Sequence, residues 1–162
     1  MTQRSIIYAR TSSSGAQEHR QSTERQVYSL TKLINANGHT LVRTFEEHIS
    51  GAALNKNRLL LNECFQFAID NQIDIIYFSS LDRLGRAIWE VQENIKFLLD
   101  HKINAYFQKE QMSLFIDNKE NPFLAIFIAV ISTCSQLERE SIQFRLSDAR
   151  QKKKEQAMLA GM

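Results

Sequence analysis

Three short stations in this sequence hold residue types that could do chemistry together. Arg10 and Ser12 stand two apart near the N-terminus, Glu47 and Ser50-Gly51 follow, and Asp82, Arg83 and Arg86 lie in Leu81-Asp-Arg-Leu-Gly-Arg86. The set combines one hydroxyl with several guanidinium groups and almost no histidine. Acyl transfer by a serine needs a histidine base, and His19, His39, His48 and His101 sit in segments that do not suggest such a triad. Metal-assisted hydrolysis needs clustered carboxylates or histidines, which the sequence does not offer. Cys64 and Cys134 stand far apart in apolar stretches without Cys-x-x-Cys spacing, so both read as buried free thiols, and no metal or other cofactor is expected. Phosphoryl transfer to a hydroxyl differs, because charge develops on non-bridging oxygens that guanidinium forks meet directly. Arginine-rich, metal-free transesterification of a phosphodiester therefore fits the set. Each station alone has a plainer reading. A serine after a strand is more often a loop or cap residue, and an Asp-Arg neighbour pair is more often a structural ion pair.

The elements that must position these groups follow from hydrophobic periodicity. Residues 5–11 form a short apolar run that predicts a buried strand, opening into the small residues 12–15. Ser22 is expected as a helix N-cap with Gln26 a turn inside. Val27, Leu30, Leu33 and Ile34 then repeat at helical spacing until Asn37-Gly38 supplies the stop. A second strand over 40–45 and a second helix over 59–69 repeat the unit. A third strand over 74–79 runs directly into the Leu81 to Arg86 motif. Ile88, Val91, Ile95, Leu98 and Leu99 mark a further helix, and 103–107 a fourth strand. Such alternation predicts an α/β fold, a mostly parallel sheet with helices on both faces, whose functional groups gather at the carboxyl ends of the strands.

The last third departs from this pattern. From about Asn121 to about Gln156 the sequence predicts one long helix with Pro122 in its first turn. Residues 123–131 are apolar almost all the way round, and such a helix must be covered on every side. A second copy of the chain is the economical partner, the alternative being a single domain that engulfs the helix. The second half carries Arg139, Arg145, Arg150, Lys152, Lys153 and Lys154 against Glu140 and Asp148. It reads either as a solvated face or as a helix lying along a phosphate backbone. The expected division is an α/β domain over 1–120 and the long helix over 121–162 as its continuation.

Bulk properties set limits. At 162 residues, with 43% hydrophobic and 23% charged residues and a single proline, the chain is an ordinary ordered domain with one core. A net charge of +2 gives no evidence for nucleic acid, so position must carry that reading. The N-terminus lacks a secretion signal, and the run 123–131 falls short of the roughly 20 residues of a membrane span. A soluble, cytoplasmic protein with no membrane partner is expected.

The stations also match a family. Tyr8-Ala-Arg-Thr-Ser12 resembles the opening signature of the serine recombinases, the resolvases and invertases, and Leu81-Asp-Arg-Leu-Gly-Arg86 resembles their arginine motif without a mismatch. Gln21-Ser22, Gln26, Ser50-Gly51 and Arg58 with Leu61 occupy the family's intermediate stations. Glu138-Arg139 and Arg145 fall where that family has its Glu-Arg pair and final arginine. The resemblance covers nearly the whole chain and implies a catalytic domain that cuts, exchanges and rejoins double-stranded DNA at recombination sites. Ser12 would be the nucleophile and form a 5′-phosphoserine. Arg10, Arg83 and Arg86 would bind the phosphate, with Arg58 and Arg145 assisting and Gln26 orienting the phosphate region. Asp82 would position the arginines or pass a proton to the leaving oxygen. Tyr8, Glu47, Ser50, Glu138 and Arg139 are expected in support. The family works as a homodimer that becomes a tetramer in the synaptic complex, and its separate C-terminal DNA-binding domain is expected to lie outside this chain. Three departures stand out: the loop from Ser12 to Gln26 is several residues longer than in small resolvases, which puts the Ser13 and Ser14 hydroxyls beside Ser12; Glu47 replaces the more usual aspartate; and Phe144 precedes Arg145 where an acidic residue is common.

Two other functions compete. A receiver-like regulator would need acidic residues at the strand ends, where this chain has Arg10-Thr-Ser12. A catalytically silent DNA-associated oligomerisation module, left by a decayed recombinase, would not need Ser12, Arg10, Asp82, Arg83 and Arg86 intact.

Overall fold

The computed structural model describes residues 2–13, 16–50, 59–85 and 87–161. Its core is a five-stranded sheet in the order β2-β1-β3-β4-β5, built from β1 (Arg4–Ser13), β2 (Thr40–Ser50), β3 (Ile75–Phe78), β4 (Asn104–Phe107) and β5 (Met112–Ser113). The first four strands run parallel and β5 pairs antiparallel to β4. Parallel strands are joined by crossovers, here α1 (Ala16–Ala36), α2 (Leu59–Asp70) and α3 (Ile88–Asp100). A two-stranded hairpin, β6 (Phe115–Ile116) and β7 (Lys119–Glu120), precedes α4 (Pro122–Ala160).

The alternation of side chains along β1 explains the layers. Ile7 and Ala9 point one way and pack with Leu30 and Ile34 of α1, together with Ile75 and Tyr77. Tyr8 points the other way, its ring 5.7 Å from that of Phe78, which stacks on Phe107 at 5.5 Å. On that face Phe45 meets Phe67 of α2, and Phe65 of α2 stacks on Phe97 of α3 at 5.3 Å. The central strand β3 is buried throughout, as a parallel strand covered on both faces must be.

Several boundaries differ from the sequence reading. Helix α1 starts at Ala16, so Ser22 lies inside the helix and does not cap it. The stretch Ala16 to Gln21 is mostly good helix formers, and one serine costs an established helix only a fraction of a kcal/mol, about 0.5. The helix does end at Asn37-Gly38. Gly38 has φ +68, the His39 amide donates to the Ile34 carbonyl and the Gly38 amide to that of Asn35, a double closure that needs a left-handed residue. Both β1 and β2 extend past their predicted ends, which places Ser12, Glu47 and Ser50 in strands and not in the loops after them. The ladder between the two strands explains this. It continues from Arg4 opposite Thr40 to Ser13 opposite Ser50, and pairing satisfies backbone groups that polar residues alone would not have marked as strand. The hairpin and β5 carry too few residues to leave a periodic signal.

The chain divides into two compact units, Met1–Leu124 and Ala125–Met162. The second is helical from its start to Ala160. Pro122 opens α4 where its missing amide hydrogen costs nothing, and the Asn121 side chain accepts the Phe123 amide at 3.0 Å. Cys64 is buried as expected, and burial pushes its thiol well above the usual range. Cys134 is exposed, contrary to expectation, because the neighbours that would cover it on this apolar helix are not supplied along its own length.

Candidate active site

The site is built at the carboxyl edge of β1 and β3. Arg10, near the end of β1, is 5% exposed, and its Nη2 donates to the Asp82 carbonyl at 3.0 Å. A guanidinium is buried at such a place only with acceptors around it, because an uncompensated buried charge is costly. Ser12 lies two residues further along the same strand, with its backbone opposite Ile49 of β2.

Beyond β3 the chain leaves the sheet through Ser79 and an extended Ser80 and closes a single 3-10 turn, Leu81–Arg83. Three bonds hold this turn. The Leu81 amide donates to Glu110 Oε2 at 3.0 Å, the Ser80 hydroxyl donates to Asp82 Oδ1, and the Lys109 amide donates to the Ser79 carbonyl at 2.9 Å. Leu81 and Leu84 anchor the turn in the core, which leaves Asp82 and Arg83 on its outer side. The chain then packs back so tightly that a Cβ on Gly85 would stand 2.6 Å from the Val91 amide nitrogen.

Arg83 Nη1 lies 3.9 Å from Asp82 Oδ2. Burial alone would raise the Asp82 carboxyl. The Ser80 hydroxyl and the charges of Arg83, Arg10 and Lys109 outweigh it and hold the group below its ordinary 3.8. Asp82 is therefore an anion at neutral pH and binds this corner together.

Helix α1 contributes two polar side chains beside the site. The Thr11 and Thr23 hydroxyls lie 3.2 Å apart in the interior. The Gln26 amide group donates to the Arg10 carbonyl at 3.4 Å, and its oxygen accepts the Ser79 hydroxyl at 3.0 Å. Arg83 Nε donates to that same hydroxyl at 3.2 Å. On β2, the Glu47 carboxylate accepts the Tyr8 hydroxyl. The Tyr8 ring is wholly buried, so this bond fixes the edge of β2 against β1 two residues before Arg10.

The structure thus brings together Arg10, Gln26, Asp82 and Arg83, and links Tyr8 with Glu47. Ser12 and Ser50 are placed by their backbones, at the carboxyl ends of β1 and β2. Gly51, Arg58 and Arg86 lie outside the described residues. Glu138, Arg139 and Arg145 belong to the second unit, where all three are exposed and Arg145 Nε donates to the Ser141 carbonyl at 3.4 Å. Ser79, Ser80 and Glu110 escaped the sequence reading. Ser79-Ser80 sits directly between a strand and the arginine motif, which is a usable signal, whereas Glu110 reaches the turn only through the pairing of β4 beside β3. His39 meets the Tyr77 hydroxyl beside the amino end of β2, at 2.9 Å, away from these groups. Among the described residues no group of three His, Cys, Asp or Glu could hold a metal ion.

A serine-bearing strand end, a buried arginine and an Asp-Arg turn stand at the carboxyl edge of the parallel sheet of a resolvase-like fold. The model of the resolvase N-terminal domain matches residues 5–159, and the chain belongs to that family. Among solved structures it is similar to the N-terminal catalytic domain of TP901-1 integrase, at 21% identity and a TM-score of 0.63, covering 85% of this chain and 98% of that one. It is also similar to a resolvase family site-specific recombinase from Streptococcus pneumoniae, at 18% identity and a TM-score of 0.65, covering 94% and 98%. The C-terminal catalytic domain of ISC1926 TnpA, an IS607-like serine recombinase, is 27% identical with a TM-score of 0.56, covering 65% and 70%. No curated protein matches the chain.

Proposed function

We propose that this chain is the catalytic domain of a serine site-specific DNA recombinase and that Ser12 is its nucleophile. The observation that carries the reading is the position of Ser12 on the strand end two residues beyond a buried Arg10, whose guanidinium is tied to the Asp82-Arg83 turn. Membership of the resolvase family supports it.

In this reading the Ser12 hydroxyl oxygen attacks the phosphorus of a DNA phosphodiester. A bond forms between Ser12 and phosphorus, the bond to the 3′ oxygen breaks, and the serine proton is lost as the 3′ oxygen gains one. The products are a 5′-phosphoserine and a free 3′-hydroxyl. One phosphate ester replaces another, so religation by the reverse attack needs no nucleotide cofactor. Arg10 and Arg83 meet the charge developing on the non-bridging oxygens, and a poorly solvated guanidinium does so strongly because little water screens it. Arg86, Arg58 and Arg145 add to this charge, in line with the family resemblance. Asp82, an anion at neutral pH, orients the arginines. Tyr8 and Glu47 fix β1 against β2, with Ser50, Glu138 and Arg139 in support. The apolar half of α4 pairs two copies, and two pairs meet across paired sites as a tetramer in the cytoplasm. The basic half of α4 follows the DNA backbone.

The test is direct. Full-length protein incubated in EDTA with DNA carrying its recombination site should give a covalent protein-DNA adduct, which Ser12→Ala abolishes. An adduct that survives Ser12→Ala would place the nucleophile elsewhere, with Ser13 and Ser14 the neighbours to test. A decayed, silent module would give no adduct at all.

A further inference from the structure

Ser79 has no part in the chemistry described above, yet its hydroxyl is the junction between three elements. It receives the Nε hydrogen of Arg83 at 3.2 Å, from four residues along the chain, and donates its own hydrogen to Gln26 Oε1 at 3.0 Å. The other end of the Gln26 amide donates to the Arg10 carbonyl at 3.4 Å. Only one arrangement of hydrogens satisfies this chain. A guanidinium can only donate, so Ser79 accepts from it and gives its single hydrogen to Gln26. The Gln26 oxygen must then face Ser79, which turns the amide nitrogen toward the strand carbonyl. Reversing the amide would set its oxygen against the Arg10 carbonyl. Every donor points the same way, from a charged group toward a backbone carbonyl, and each bond in such a series polarises the next.

The series joins three elements. It begins on the turn after β3, passes through α1, and ends on the backbone of β1 two residues before Ser12. We infer that Ser79 is a positioning residue: its hydroxyl locks the Nε edge of Arg83 and, through Gln26, ties that arginine to the serine strand, so that guanidinium and nucleophile are set as one unit. The bond uses the Nε edge of Arg83, while its Nη1 lies 3.9 Å from Asp82 Oδ2. Gln26 thereby acts on the site through Ser79 and the Arg10 carbonyl, as a bridge between elements. This assignment rests on the recombinase reading for its catalytic consequence and on geometry alone for the bond itself.

Two measurements test it separately. In the first, the isolated chain is examined by NMR. The Arg83 Nε hydrogen should exchange slowly with water, and exchange should become at least about tenfold faster in Ser79→Ala while Ser79→Thr keeps the protection. In the second, adduct formation through Ser12 is timed on full-length protein at saturating DNA. Ser79→Ala should slow it by about tenfold or more, since small displacements of a positioned group cost rate steeply. Its DNA affinity should stay within about twofold of the parent protein, and Ser79→Thr should restore the rate. Unchanged exchange at Arg83 in Ser79→Ala would overturn the bond. A normal rate in Ser79→Ala, or an equal loss in Ser79→Thr, would overturn the positioning role. If the parent protein forms no Ser12 adduct, the recombinase reading fails, and the exchange measurement still decides whether Ser79 fixes Arg83.

Discussion

Asp82 shows how a single residue at this site is constrained. Its side chain is 63% exposed, so water screens its partners, yet Ser80, Arg83, Arg10 and Lys109 together hold its carboxyl below 3.8. A carboxylate whose folded value is depressed contributes stability above its unfolded value and loses it as pH falls through the folded value. Asp82→Asn should therefore melt below the parent protein at neutral pH, and the difference should close only in acid, below about 3.8. Melting temperatures of the two proteins across pH check this. The parent's cleavage rate should show no inflection near neutrality from this group. An inflection there that disappears in Asp82→Asn would assign Asp82 a proton-transfer role.

At the scale of elements, helix α1 positions the site through two different kinds of force. Its apolar stripe, with Leu30 and Ile34 wholly buried, holds it to the sheet. Its polar edge, Thr23 and Gln26, sets where it sits along β1. Leu30→Ala should destabilise the protein by about 2–5 kcal/mol by opening a cavity. Gly38→Ala should cost only about 1 kcal/mol, because no atom lies within 4 Å of the added Cβ and the penalty is the left-handed backbone at φ +68 alone. Denaturant unfolding separates the two. A Gly38→Ala loss as large as that of Leu30→Ala would mean that the helix end is packed and not merely turned.

For the whole molecule the long helix is decisive. At roughly 1.5 Å per residue, its 39 residues extend about 58 Å. A domain of about 120 residues is only some 35 Å across, taking its radius of gyration as about 14 Å. The helix is thus longer than such a domain is wide. Phe123, Ile126 and Val130 remain 68%, 61% and 55% exposed. Fully apolar positions at this density call for a partner, and in the reading above it is a second copy. Val130→Asp should leave the thermal transition of the α/β unit in place and shift sedimentation toward the monomer. Unchanged self-association would move the interface elsewhere.

Much of this was legible in the sequence. The strand and helix alternation, the stop at Asn37-Gly38, the start of α4 at Pro122 and the three stations are local patterns, set by periodicity, turn chemistry and spacing along the chain. The stations mark Arg10, Asp82 and Arg83, and the family resemblance adds Gln26. The sequence could not show that β1 and β2 stay paired through Ser13 and Ser50, since polar residues become strand only when a neighbour satisfies their backbones. Nor could it show that Ser79 joins Arg83 to Gln26, or that Glu110 holds the Leu81 amide. The Ser79–Gln26 and Leu81–Glu110 bonds link residues 53 and 29 positions apart and arise from the parallel order of β1, β3 and β4. Residue types and their order thus determined which chemistry is available. Strand order decided which groups meet, because a hydrogen bond depends on distance in space and records nothing of separation along the chain.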